Sequence, residues 1–333
     1  MASGNLSRVE RVLVQPQDGV APVAALIDGA RSTVAVKMFT LTAPALLDAL
    51  VGAQARGVGV RVMLNPARSS GSRANDDAER RLRAAGVAVA WTNPRFAVTH
   101  EKSMVVDGRT ALIATFNFCD KYFSETRDYG ILVEEPDAVR EILSGFEADW
   151  RRREFDPPPG SALLWSSRNA REGMAAFIDS ARHSLWVQHP KFSDIAILDR
   201  LMAARDRGVR LRVICGGRHG ISPPDMLDTF GALRVLQRSG VKVHKQHGLR
   251  LHAKLLIADD ARALVGSMNI DRSAFDLRRE LGAVVADPHA LAVLRARFDA
   301  DWDESRHYDP PDPMALHLHT EAALPRDADL DHE

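Results

Sequence analysis

Two stretches of this sequence place the same residues at the same spacing: His100, Lys102, Asp107, Asn117 and Asp128, then His252, Lys254, Asp259, Asn269 and Glu280. An imidazole can attack phosphorus, while a second imidazole protonates the leaving oxygen and later takes a proton from incoming water or alcohol. Lysine and asparagine can hold the non-bridging oxygens of a phosphodiester and stabilise a five-coordinate transition state without a metal ion. The hydroxyls of Thr115 and Ser267, two residues before each asparagine, add donors to the same phosphate site. Asp128 and Glu280 can accept the Nδ1–H of a histidine and fix its tautomer, the part played by the third group of a triad. Asp107 and Asp259 fall at turn positions, where aspartate satisfies backbone N–H groups, so a structural role is expected for both.

The two frames must be delivered by matching elements. On an extended chain side chains alternate faces, so His100, Lys102 and Met104 point one way and Glu101 and Ser103 the other. The sequence around them is one unit written twice. Ala25-Leu-Ile-Asp-Gly-Ala-Arg-Ser-Thr-Val-Ala-Val36 is answered by Ala176-Phe-Ile-Asp-Ser-Ala-Arg-His-Ser-Leu-Trp-Val187, and Phe146-Glu-Ala-Asp-Trp150 by Phe298-Asp-Ala-Asp-Trp302. In the first copy the pattern predicts helices at Val23–Gly29, Ala43–Arg56 and Asn75–Ala85 and strands at Thr33–Met38, Val58–Leu64, Val87–Trp91, His100–Val106 and Thr110–Ala114. This alternation predicts βαβ units and a largely parallel sheet. Asp107-Gly108 is a hairpin turn signal, and Asp259-Asp260 its counterpart. Residues 1–152 form the first repeat, 161–308 the second, and the Pro-rich stretch 153–160 an exposed linker. The segment 309–333 opens on Asp309-Pro-Pro-Asp-Pro and is expected to be a disordered acidic tail.

The doubled His-x-Lys-x4-Asp frame with its downstream asparagine closely resembles the phospholipase D superfamily, over roughly residues 20–305. The resemblance implies two tandem α/β repeats forming a pseudo-twofold sandwich, with both motifs meeting at the interface of the halves. It also makes His100 the phosphohistidine former and His252 the general acid and base. The first copy departs from the family pattern, with Ala114-Thr115 in place of Gly-Ser and Asp128 in place of glutamate, one methylene shorter; both halves are still expected to work.

With 45% hydrophobic and 26% charged residues, the 333-residue chain reads as an enzyme-sized globular protein. Cys119 and Cys215 supply no disulfide framework, and no stretch has the length of a membrane span or a secretory leader, which together predict a cytoplasmic protein. Seven acids and one base between Asp309 and Glu333 leave 43 bases against 37 acids, a mild positive charge suited to an anionic substrate. His244 and His247 lack metal-ligand companions and are read as loop or cleft residues; no metal and no cofactor is expected. Gly216-Gly217-Arg218-His219-Gly220 lacks the Walker lysine and is read as a loop after a strand, near the site's mouth. Phe146/Trp150 and Phe298/Trp302, at i, i+4, are read as core. The favoured function is a phospholipase D-type enzyme that hydrolyses phospholipids or transfers their phosphatidyl group to an alcohol, as cardiolipin synthase-like proteins do. Met38, Phe39, Phe116 and Phe118 would form an apolar cleft, and Arg68–Arg73 or Arg95-Phe96 would make peripheral membrane contact. A metal-independent nuclease, with nucleic acid as substrate, and an inactive binding module are the alternatives. With both motifs in one chain, a monomer suffices.

Overall fold

A computed structural model describes residues 4–67, 71–218, 221 and 223–313. The first half runs β1 (Arg11–Gln15), α1 (Ala21–Asp28), β2 (Thr33–Met38), α2 (Pro44–Ala55), β3 (Gly59–Leu64), α3 (Asp76–Ala84), β4 (Ala88–Trp91), β5 (Val98–Thr99), β6 (Lys102–Val106), β7 (Thr110–Ala114), α4 (Asp120–Ser124), β8 (Thr126–Val133) and α5 (Pro136–Trp150). The second repeats it: β9 (Leu163–Trp165), α6 (Ala170–Asp179), β10 (Ser184–Gln188), α7 (Ile195–Asp206), β11 (Arg210–Cys215), α8 (Pro223–Arg238), β12 (Lys242–Lys245), β13 (Arg250–Leu251), β14 (Leu255–Ala258), β15 (Arg262–Gly266), α9 (Arg272–Asp276), β16 (Arg278–Arg279), β17 (Leu281–Val285), α10 (Pro288–Glu304) and β18 (Arg306–His307). The segment expected to form a tail is described only as far as residue 313; 314–333 lie outside the described residues, as do 68–70.

Local chemistry accounts for many of these boundaries. Proline opens α2, α5 and α10 in the first turn, where its missing N–H costs nothing. Asp194, Asp271 and Asp287 cap α7, α9 and α10 by accepting the N–H of Ile197, Ala274 and Ala290. Asp107 and Gly108 both take positive φ, as do Asp259 and Asp260, so each pair makes the tight turn that its composition predicts.

The strand order is β1-β8-β7-β6-β2-β3-β4 in one sheet and β18-β12-β11-β10-β14-β15-β17-β9 in the other. Along these two strand orders only β2-β3-β4 and β10-β11-β12 pair in parallel and all other neighbours are antiparallel, which corrects the expectation of a largely parallel sheet. The physical reason lies in the turns. The three-residue hairpin loop Asp107-Gly108-Arg109 obliges β7 to run against β6, and β8 returns antiparallel to β7. Helices α1 to α3 and α6 to α8 cover the outer faces with separate apolar clusters. The inner faces meet in a common core that takes Ile113, Tyr129 and Ile131 from the first sheet, Leu255, Val265 and Ala283 from the second, and Ile142 and Phe298 from α5 and α10. Phe146 stacks on Trp150 and Phe298 on Trp302, all but Trp150 buried, so the aromatic pairs belong to the packing.

Candidate active site

The two halves are joined by two short parallel pairings that cross between them. β5 of the first half pairs β16 of the second, and β13 of the second pairs β8 of the first. The backbone N–H groups of His100 and Glu101 both donate to Arg279 O at 2.9 Å, and those of His252 and Ala253 donate to Arg127 O at 3.2 and 2.8 Å. Ladder pairing of β6 begins only at Lys102, so His100 and Glu101 occupy the break between β5 and β6 and do not lie on one long strand from 100 to 106. That break is what lets each histidine bond the opposite half.

The consequence is a crossed pairing of side chains. His100 Nδ1 lies 3.0 Å from both carboxylate oxygens of Glu280, and His252 Nδ1 lies 2.7 Å from Asp128 Oδ1. Each histidine is therefore held by the carboxylate of the other repeat. A carboxylate accepts only from a protonated nitrogen, which places the proton on Nδ1 and the lone pair on Nε2 of the neutral ring. Asp128, with its shorter reach, is braced by two hydroxyls: Thr115 Oγ1 donates to Oδ1 at 2.5 Å and Thr126 Oγ1 to Oδ2 at 2.6 Å. Lys102 Nζ donates to His100 O and Lys254 Nζ to His252 O, both at 2.7 Å, and Lys254 Nζ also lies 2.9 Å from His252 Nε2. Side-chain alternation holds here: Ser103 Oγ donates to Glu101 on the face opposite Lys102.

Asn117 and Asn269 are buried three residues beyond the ends of β7 and β15. The Thr115 and Ser267 hydroxyls brace the frame: Thr115 Oγ1 also accepts from Tyr129 N–H at 2.8 Å, and Ser267 Oγ accepts from Leu281 N–H at 3.0 Å. Gly266 faces Gly282 across the ladder, and a Cβ on it would stand 2.4 Å from the Gly282 Cα, so no larger residue fits. Asp107 and Asp259 lie apart from this cluster. Burial would raise the Asp107 carboxyl, but the N–H groups of Thr33, Arg31 and Ser32 hold it down at about 2. Asp259 grips the N–H groups of Arg182, His183 and Ser184 and is lowered in the same way against burial. Each aspartate ties its hairpin to the loop that starts the neighbouring strand.

Met38, Phe116 and Phe118 are fully buried members of the outer cluster of the first half and do not line a cleft; Phe39, equally buried, packs its ring edge-on against His100 at 5.0 Å. Apolar residues beside a motif follow strand alternation into the core as readily as toward a substrate. His244 is on β12, not in a loop; it stacks on Trp302 at 3.8 Å, with Nδ1 2.8 Å from Ser305 Oγ. Arg95 is tied to exposed Glu154, and Phe96 lies against the buried Arg279 guanidinium. Cys119 and Cys215 are buried free thiols, and burial pushes the Cys215 thiol up to about 12. Among the described residues no group of three or more His, Cys, Asp and Glu could hold a metal ion, and no helix is long and apolar enough to cross a membrane.

Residues that the motif does not include complete the arrangement. Arg279 Nε donates to Asp149 Oδ2 at 2.9 Å, and Lys37 Nζ bridges Asp149 at 2.6 Å and Glu101 at 3.0 Å, all four side chains being buried. In the mirrored position Arg127 Nε pairs Asp301 at 2.7 Å, and Gln188 replaces Lys37. Each arginine sits one residue before the carboxylate that holds a histidine and clasps the long C-terminal helix of the other half. The signal was present in the sequence: arginine precedes the carboxylate in both frames, and Asp149 and Asp301 occupy one place in the repeated Phe-x-Ala-Asp-Trp.

The family model for the cardiolipin synthase, PLD-like domain matches twice, over residues 23–150 and 174–302. The chain belongs to the cardiolipin synthase, PLD-like domain family. It is 28% identical over 289 residues to cardiolipin synthase B of Shigella flexneri, spanning 74% of this chain and 68% of that protein. It is 26% identical over 347 residues to cardiolipin synthase A of Pseudomonas putida strain W619, spanning 92% and 71%. Among solved structures, phosphatidylserine synthase from Haemophilus influenzae Rd KW20 superposes with a TM-score of 0.74 at 14% identity, covering 96% of this chain and 94% of that one. A polyphosphate kinase from Porphyromonas gingivalis gives 0.70 at 17% identity over 87% of this chain and 46% of its own. These two likenesses show a shared fold, the tandem α/β sandwich.

Proposed function

We propose that this member of the family is a phosphatidyltransferase of phospholipase D type, acting on phospholipids through a phosphohistidine. The observation that carries the chemistry is the crossed pairing of His100 with Glu280 and His252 with Asp128, which sets two histidines of fixed tautomer at one interface. His100 Nε2 attacks phosphorus, and the P–O bond to the headgroup alcohol breaks as His252 protonates that oxygen. An acceptor alcohol then attacks the phosphohistidine, gives its proton to His252 and releases His100; with water as acceptor the outcome is hydrolysis. Support for this division of labour comes from exposure: the His100 side chain is 0% exposed and that of His252 12%, and the group that trades protons with successive alcohols needs the access. Lys102, Lys254, Asn117 and Asn269 hold the non-bridging oxygens.

The lipid as substrate is supported by the family match and by the names of the relatives, both cardiolipin synthases. Contact with the bilayer is peripheral in this reading. The test is to incubate the purified protein in EDTA with vesicles of mixed phospholipids and, separately, with single-stranded DNA. Release of a headgroup, or its exchange for an added alcohol, is expected, with the DNA left intact. Cleaved DNA without lipid turnover would establish the nuclease instead.

A further inference from the structure

At the amino edge of the parallel strands of the second half, a cavity of about 270 Å³ opens between the first residues of β11 and β12 and the end of α7. Its walls carry four cations, Arg205, Arg210, Arg212 and Lys242, and no acidic residue. Among the described residues none of the four takes part in an ion pair or donates a side-chain hydrogen bond. The catalytic groups lie at the other edge. Lys254 precedes the β14 residue that pairs Gln188 at the carboxyl end of β10, whereas Arg210 pairs Ser184 at its amino end, four residues or roughly 13 Å along the strand.

Aromatic rings hold the arginines where carboxylates might have done so. Buried Trp186 is the register partner of Arg212, and the guanidinium carbons of Arg210 and Arg212 lie 5.1 and 5.2 Å from its ring centroid. That of Arg212 is also 4.8 Å from the centroid of Trp302. A ring attracts a guanidinium through its quadrupole and fixes its place, but leaves its charge uncancelled.

The first half shows that the fold itself does not require this cluster. Register sets Gly59 at the place of Arg210, Arg61 at Arg212, Ala88 at Lys242 and Ala35 at Trp186. A Cβ on Gly86 would stand 4.0 Å from Gln54 Nε2, as one on Gly240 would stand 3.1 Å from Arg205 Nη2, so Gln54 answers to Arg205. A cation at Arg205 suits the carboxyl end of α7, yet α2 ends in the same way with no basic residue in its last turn. Arg61 is neutralised by Glu147 at 2.5 Å. The counterpart of Glu147 is Asp299, one methylene shorter and bound by Arg295 on its own helix, so Arg212 keeps its charge.

Like charges gathered without a counter-charge repel one another, and a bound anion relieves that cost. From these observations we infer that the cavity is a binding site, separate from the catalytic one, for a small multivalent phosphate. Arginine forks match phosphate oxygens in pairs. The volume falls below the range of about 300–1,000 Å³ for pockets that enclose drug-sized ligands, which fits an ion of one or two phosphoryl groups. The phosphate belongs to a free ion or to a lipid headgroup, whose chemistry here is the same; the position at the edge opposite the catalytic groups favours the free ion. Its occupant is not a reactant, and by binding the folded state alone it stabilises the fold.

Inorganic pyrophosphate and inorganic phosphate are titrated calorimetrically, at low salt, into the full chain, into Lys254→Met and into Arg205→Gln/Lys242→Ala, whose two changes copy the first half. Wild type and Lys254→Met are both expected to bind pyrophosphate, and more tightly than phosphate. The double variant is expected to bind it about tenfold or more weakly as two charged contacts are lost, and to lack the rise in thermal midpoint that pyrophosphate gives wild type. Arg205→Lys/Lys242→Arg keeps the charges and most of the affinity. If the double variant does not fold, Arg210→Gln, at an exposed strand position, is measured in its place and is also expected to weaken binding. An unchanged Kd in these variants overturns the proposal, as does loss of binding in Lys254→Met alone, which would put the anion in the catalytic cradle. Sedimentation with phosphatidylglycerol vesicles separates the two sources. Soluble binding that the double variant loses assigns a free ion, and vesicle capture that it loses, without soluble binding, assigns a lipid headgroup. Absence of both in wild type overturns the site. None of these readouts depends on lipid turnover, so the proposal stands or falls apart from the phosphatidyltransferase reading.

Discussion

Replacing Arg279 by methionine removes one of four charges that neutralise one another out of reach of water. Lys37 and Arg279 supply two positive charges, Glu101 and Asp149 two negative ones, and all four side chains are no more than 4% exposed. Lys37 Nζ already holds both carboxylates, at 3.0 and 2.6 Å, so methionine would leave one negative charge without a cation of its own. Breaking a buried pair from one side costs about 3–5 kcal/mol, and that is the expected loss. The thioether chain still covers Trp165, over which the guanidinium lies at 4.7 Å, so little of the cost comes from packing. Glu101→Gln in the same chain restores neutrality. The double variant is then expected to be more stable than the sum of the two single losses by about 1–3 kcal/mol, the range for residues in one network. Urea unfolding, followed by circular dichroism and by tryptophan fluorescence, measures all four proteins. A loss below about 1 kcal/mol for Arg279→Met, against the buried-pair range, would refute the reasoning, as would simple additivity in the double variant.

Asp128→Asn and Glu280→Gln each keep shape but remove the negative charge and offer an NH2 donor where only acceptors stood, so the tautomer of the histidine is no longer fixed; kcat is expected to fall by about 10² to 10⁴ with a cooperative unfolding transition retained, and a loss smaller than tenfold would remove these carboxylates from the mechanism. With an activated substrate whose leaving group needs no proton, His252→Asn should accumulate the phosphohistidine and His100→Asn should not, as read by intact mass after an alkaline quench; the reverse result exchanges the two roles. Burial alone would raise the carboxyl of Asp149, but Lys37 and Arg279 lower it below its ordinary 3.8, and Asp107 is held at about 2. Depressed folded values mean that both groups contribute stability above 3.8 and lose it as pH falls below, the Asp107 share draining away toward about 2. Thermal midpoints measured from pH 6 to pH 3 should therefore drop below about 4, and Asp149→Asn should flatten that part of the curve; a curve identical to wild type would deny Asp149 its share.

Much of this protein was legible in one dimension because its information is local or repeated. The hairpin at Asp107-Gly108, the proline-led helices and the 3.6-residue spacing of Phe146 and Trp150 depend on neighbours in the chain, and the doubled frame picked out by type and spacing the histidines and carboxylates that meet at the interface of the halves. The sequence pattern does not mark β8: it is buried along its whole length yet carries Arg127 and Asp128 near its start, which hides the apolar run. The reading of Met38, Phe116 and Phe118 as cleft residues failed for a related reason, since hydrophobicity marks burial and not the surface against which a side chain is buried.

What the sequence by itself determined was the set of participants: two histidines, two lysines, two asparagines and two carboxylates, each in its own repeat, and the turns and helices that carry them. Which carboxylate serves which histidine was decided only by the tertiary structure. Asp128 is 28 residues from His100 but holds His252, 124 residues away, and Glu280 holds His100 across 180. The exchange arises because β5 and β13 are completed by strands of the opposite half, whose carbonyls at Arg279 and Arg127 take the N–H groups of His100 and His252. A backbone hydrogen bond between halves carries no residue-specific signature, since any non-proline residue can make it, and so the sequence could not announce it.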